Sequence, residues 1–151
     1  MMRTRVTLAV VVALTCVGVA AVPTSAGMAA QPEAQASLDD HMSGMHESLR
    51  TIARNHNDAS KRDDVLSAIT QLQEHTLASK TLDPHKLEKL SGDELESARD
   101  DYRVRMSMLL GMTTELEIAY LDGEHDKVDD IIRNKLFPIR DKGHQDFQED
   151  H

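Results

Sequence analysis

Residues 38–52 read Leu-Asp-Asp-His-Met-Ser-Gly-Met-His-Glu-Ser-Leu-Arg-Thr-Ile, with apolar members at Leu38, Met42, Met45, Leu49 and Ile52. The steps alternate between four and three, which places all five on one stripe of an α-helix and leaves acids, His and Arg on the other faces. Thioethers rather than branched aliphatics dominate the start of the stripe, and each has a histidine beside it, His41 and His46. Methionine is an adaptable core filler, but it is also a soft ligand for haem iron or copper. What faces Met42 decides between these roles.

Upstream, Arg3 and Arg5 open the chain, an apolar run covers Val6 to Val22, and Pro23-Thr24-Ser25-Ala26 supplies small residues. A basic start, an apolar run and a small-residue exit predict a secretory signal peptide within residues 1–36. Cleavage after Ala26 fits, and Ala34-Gln35-Ala36 offers a second small-x-small site. The other reading is an N-terminal membrane anchor, because Val6 to Val22 just reaches bilayer length; no strong charge cluster follows the run to stop its transfer. The single cysteine, Cys16, lies inside this segment, preceded by a poor lipoprotein box, Ala13-Leu14-Thr15. Residues 37–151 therefore carry no disulfide, no cysteine-based zinc or iron–sulfur site and no covalently attached haem.

Removing Arg3, Arg5 and Glu33 with that segment leaves 15 Lys and Arg against 25 Asp and Glu, a net charge of −10. Such an acidic chain is not expected to bind nucleic acid or an anionic membrane. The length of residues 37–151 suits one domain.

The apolar pattern predicts a first helix over about Leu38–His56, broken by Asn55-His56-Asn57-Asp58. Ser60, with Asp63 three residues on, reads as a capping box. It opens a second helix to about Lys80, with Val65, Leu66, Ile69, Leu72 and Leu77 on its stripe. Pro84 ends that region, and the longest loop leads to a second capping box at Ser91-Gly92-Asp93-Glu94. Leu95, Ala98, Tyr102, Met106, Leu109 and Leu116 hold helical phase until Asp122-Gly123 caps the third helix. Val128, Ile131, Ile132, Leu136, Ile139, His144 and Phe147 define a fourth. No window alternates as a strand would, so the fold class is all-α, an antiparallel up-down-up-down four-helix bundle.

In that topology the start of the first helix lies beside the end of the fourth, which brings Met42 and His144 to the same end. A thioether facing an imidazole across an apolar slot is an axial pair that holds low-spin haem iron for electron transfer. The chain from residue 36 onward resembles the cytochrome b562 family of soluble periplasmic haem proteins. The resemblance rests on Leu38-Asp39-Asp40-His41-Met42, Asp101-Tyr102-Arg103 and Gly111, Gly123, and Arg140-x-x-x-His144-Gln145. It implies that Met42 and His144 are axial ligands of one non-covalent b-type haem (iron protoporphyrin IX). It also implies that Tyr102 and Met106 pack on the porphyrin and that Arg140 lies near a propionate. Met106 stands where the family has an aromatic, Gly143 precedes the histidine, and the fourth helix holds one extra residue together with Pro138. A bulge near Pro138 would absorb that residue and keep His144 in phase.

The function expected from this is a periplasmic electron carrier, monomeric, acting on redox partners of basic charge, and not an enzyme. No Ser-His-Asp spacing, phosphate loop or buried carboxylate pair stands out. Two alternatives stay open: copper binding by His41-Met42-x-x-Met45-His46, and a haem-free bundle acting through protein contacts. Met45 reads as core. His56, His75, His85, His125 and His151 read as solvated, as do the acidic pairs Asp39-Asp40, Asp63-Asp64, Asp100-Asp101 and Asp129-Asp130.

Overall fold

A computed structural model describes residues 36–147 of the 151-residue chain. Of the signal segment read over residues 1–36, all but the last residue lies outside the described residues, Cys16 included, as does His151. Four helical stretches make up the rest, and no strand occurs among the described residues, as expected for an all-α chain. They are α1 (Leu38–Asn55), α2 (Arg62–Ser79), α3 (Gly92–Leu121) and a fourth stretch over 125–147 built from α4 (His125–Asp130), a π-helical turn (Ile131–Leu136) and α5 (Phe137–Phe147). Short 3-10 turns at Ala59–Lys61 and His85–Lys89 occupy two of the connections. Among the described residues no helix is long and apolar enough to cross a membrane.

The helix ends show where side-chain chemistry competes. Ser37 caps α1 in a full capping box: Asp40 N–H donates to Ser37 Oγ at 3.2 Å, and Ser37 N–H donates to the Asp40 carboxylate at 2.8 Å. The box expected at Ser60 is displaced. Asp58, a charged acceptor, takes the Ser60 N–H at 2.9 Å and its hydroxyl at 2.7 Å, so a 3-10 turn leads into α2. Ser91 occupies the cap position of α3 without a side-chain cap bond, so the second expected box does not form. Gly123 ends α3 at φ +73°, a conformation that a side chain would strain.

Core packing follows the stripes with one exception. Met45, Leu49, Ile52, Val65, Ile69, Leu72, Leu116, Val128, Ile131, Ile132 and Leu136 join one buried cluster. Leu77 is instead 58% exposed, because Thr76 and Ser79 take the inward positions on the last turns of α2. Two histidines expected to be solvated are also drawn in. His56, 7% exposed, sets Nδ1 against the Ile52 carbonyl and Nε2 against Asp129, each at 3.1 Å, and so ties the end of α1 to the fourth stretch. His75 packs its ring against the backbone of Gly44 on α1 and meets His41 Nδ1 to Nδ1 at 3.1 Å. A β-carbon on Gly44 would lie 2.2 Å from His75 Nε2.

The fourth stretch contains Pro138, which has no N–H to give a helical carbonyl. The chain meets this by widening: Phe137 N–H donates to the Ile132 carbonyl, five residues back, within the π-turn. One extra residue in a regular α-helix would rotate everything beyond it by about 100°. The wide turn takes up one residue more than a regular α-turn holds, a bulge near Pro138 of the kind anticipated. Residues 139, 140, 143, 144 and 147 then share one face.

Two expectations follow. Alanine at Gly111, where an added β-carbon meets open space, should stabilise the fold by about 1 kcal/mol. Gly44→Ala should show no such gain, because it expels the His75 ring; urea denaturation of both variants checks the contrast. The carboxyls of Asp40, Asp58, Asp129 and Asp146 are all held below their ordinary value of 3.8, chiefly by hydrogen bonds from Ser37, Ser60, His56 and Lys142 respectively. Groups depressed in the folded state stabilise it fully above the unfolded value and lose that contribution as pH falls. The urea midpoint should therefore drop as pH falls below about 4, and less steeply in Asp129→Asn.

Candidate functional site

One end of the α1 stripe opens into a cavity of about 280 Å³. From α1 come Leu38, Met42, Met45, His46 and Leu49, and from α3 come Tyr102, Arg105, Met106 and Leu109. The π-turn and α5 supply Leu136, Ile139, Arg140, Gly143, His144 and Phe147. Pro84 and His85 contribute from the long connection. All five residues singled out from the sequence, Met42, His144, Tyr102, Met106 and Arg140, line this one space.

Their surroundings differ. Met42 is half-buried and His144 exposed, and among the described residues no hydrogen bond engages the Met42 sulfur or the His144 ring. Both donor atoms are thus uncommitted. Tyr102 is only 2% exposed, and its hydroxyl donates to the Ser79 carbonyl at 3.1 Å. Burial first, and the Asp83 charge second, push that hydroxyl far above its usual range, so it stays a neutral donor. Met106, 9% exposed, continues the same wall one turn on.

The turn that carries His144 is held from α3. Phe147 meets the Tyr102 ring edge-on, with centroids 5.2 Å apart, and Arg105 lies over the other ring at 5.4 Å. The same guanidinium reaches Asp146 at 2.6 Å, and Lys142 reaches it at 2.7 Å. Lys86 adds a bond to the Gln145 carbonyl at 3.4 Å. Lys142 first, with Arg105, keeps the Asp146 carboxyl below the usual carboxylate range, so the clamp persists through ordinary pH. Arg140 pairs with Asp141 at 2.6 Å and stacks over Phe137 at 5.0 Å.

Several lining residues were not foreseen as such. Arg105 was detectable in principle, since it follows Tyr102 by three and precedes Met106 by one and so flanks their face. His85 sits in an irregular connection, 3.8 Å from Asp39 and 3.0 Å from Glu88, where no periodicity points to it. The His41-to-His46 motif is divided: Met42, Met45 and His46 line the cavity, whereas His41 turns to His75. Met45 is core as well as lining, and its sulfur accepts the Thr76 hydroxyl at 3.3 Å.

No family model matches the chain, and no curated protein matches it. The chemistry of the site therefore rests on its own residues. A thioether and an imidazole line one largely apolar space with two guanidiniums beside them.

The wall around Tyr102 has a simple energetic test. Tyr102→Phe should cost about 1 kcal/mol of stability through the lost bond to Ser79. Ser79→Ala should cost nothing, because the Ser79 hydroxyl is buried without a partner among the described residues. Thermal denaturation distinguishes the two.

Proposed function

We propose that the protein is a periplasmic electron carrier that holds one non-covalent b-type haem between Met42 and His144. The four helical stretches would form an antiparallel up-down-up-down bundle around its core. The observation that carries this reading is the convergence of the two uncommitted donors on one cavity walled by Tyr102 and Met106. The bundle is supported by the order of the cross-links. Gln73 and Ser79 of α2 bond Glu117 and Tyr102 of α3, and Arg105 and Glu115 of α3 pair with Asp146 and Lys135 of the fourth stretch. In each pair of helices one numbering rises as the other falls.

When bound, the haem supplies a one-electron iron couple, and thioether–imidazole ligation raises its potential relative to two imidazoles. The chain does the rest. Leu38, Leu49, Leu109 and Ile139 line the space with apolar side chains that exclude water, and Tyr102 stays neutral. Arg105 and Arg140, already paired with Asp146 and Asp141, present further guanidinium N–H groups that would donate to the cofactor's carboxylates. With Met42 and His144 both holding the iron, no coordination position would stay open to a substrate, which suits electron transfer. Exposed Asp63, Asp64, Asp100 and Asp101 on a chain of net charge −9 suit docking to a basic redox partner at low salt. The N-terminal apolar segment supports export.

A second reading has one observation in its favour. Met42, Met45 and His46 share the cavity wall, a soft-ligand set for copper. The experiment that separates the two is the visible spectrum of the protein with haemin, oxidised and reduced, beside Met42→Ala, His144→Ala and His46→Ala. Sharp low-spin bands on reduction, lost in the first two variants with at least a tenfold fall in affinity and kept in the third, are the expected outcome. Equal haemin binding by wild type and a Met42→Ala/His144→Ala double variant would overturn it.

A further inference from the structure

Outside the cavity, His41 of α1 and His75 of α2 form a second convergence of ligand-type side chains; neither lines the space described above. We propose that these two imidazoles form a site for a divalent transition-metal ion of the zinc type, bridging α1 and α2. The inference is independent of the haem reading.

The separation of the two nitrogens suits the bite of such an ion. The two Nδ1 atoms face each other at 3.1 Å, with ring centroids 5.4 Å apart and planes tilted by 57°. Zinc binds imidazole nitrogen at about 2.0–2.1 Å. Two such bonds at a tetrahedral angle place the nitrogens about 3.3 Å apart, and at a right angle about 2.9 Å. The observed separation lies between these values, but a centroid spacing of 5.4 Å at that separation means the nitrogens meet head-on, as in a hydrogen bond. An ion is therefore admitted when the rings turn until both Nδ1 lone pairs converge on one point on the solvent side.

The pair is also built by its surroundings. Gly44 lies one turn beyond His41, and its missing side chain is what allows the His75 ring to lie against α1. A β-carbon there would stand 2.2 Å from Nε2, 2.5 Å from Cδ2 and 2.6 Å from Cε1. A glycine inside a helix costs about 1 kcal/mol relative to alanine, a cost that this ring placement explains. Ser48, buried on the same side of α1, and the Met45–Thr76 contact continue the close approach of the two helices.

Both rings are half-buried, so one side of the pair stays open to solvent. No group of three or more His, Cys, Asp or Glu converges among the described residues. The site thus offers two protein ligands and leaves the remaining positions to water, unlike a closed four-ligand structural centre. Asp39 and Asp40, in the first turn of α1, add a favourable field for a cation, although Asp40 is itself bonded to Ser37. Binding through both Nδ1 atoms needs both neutral rings to carry their proton on Nε2. The ring that donates within the pair gives up its Nδ1 proton and takes one at Nε2, so no net proton is released.

The test is calorimetric titration of the full chain with zinc chloride, paired with thermal melting. The expected result is one ion per chain, bound at least tenfold more weakly by His41→Ala and by His75→Ala, and equally well by His125→Ala. Zinc should raise the melting temperature of the wild type and leave that of the two variants unchanged. Absence of binding, or binding that survives either replacement, overturns the proposal. Should a variant fail to fold, the wild type still decides: zinc must shift the imidazole ¹⁵N resonances of both His41 and His75, and unshifted resonances overturn the site.

Discussion

The cavity end of the molecule depends on the rotational phase of the last three turns of the fourth helical stretch. A regular α-helix through this region would turn the residues beyond Leu136 by about 100° from the arrangement seen, and its hydrogen-bond ladder would call on Pro138 for an N–H that it lacks. The π-turn over Ile131–Leu136 resolves the conflict locally. Upstream, Val128, Ile131 and Ile132 remain buried against the core; downstream, Ile139, His144 and Phe147 face the cavity. The loosened backbone bonding is tolerated because packing on both sides holds the turn in place, and π-turns of this kind recur at functional sites.

Polar ties fasten the two ends of this stretch. At one end the buried His56 links α1 to Asp129, and at the other Arg105 and Lys142 hold Asp146 while Phe147 rests edge-on against Tyr102. The apolar core is lean, with no tryptophan and four Phe and Tyr in total. In such a core, interactions that demand particular partners do more to select one arrangement than uniform burial does. The His41–His75 contact over Gly44 plays the same part between α1 and α2. These ties also set which side chains reach the cavity. His144 is brought there by the clamp on Asp146 and Phe147 as much as by its own helical position. The proposed haem site therefore depends also on residues outside the cavity wall, Lys142 and Asp146 among them.

What the sequence by itself determined is the all-α class, the extents of the helices to within a residue or two, and the apolar stripes. These depend on periodicity and end signals, which are local. The meeting of Met42 and His144 at one end was legible for a related reason: each lies on an inward stripe, and the connections leave few ways for the stripes to meet. Tyr102, Met106 and Arg140 were expected beside them only through the family resemblance. The tertiary structure alone decided which polar residues turned inward. Thr76 and Ser79 displaced Leu77 from the core, and His56 was buried and His75 half-buried, because partners 73 and 34 residues distant in the chain offered the two histidines hydrogen bonds. Asp58 took the cap from Ser60 since a carboxylate is the stronger acceptor, a competition that a capping pattern does not weigh. Arg105 and His85 reached the cavity through the angle of α3 and the course of an irregular connection. Side-chain period fixes a direction within one helix, but the partner that meets it belongs to the packing of several.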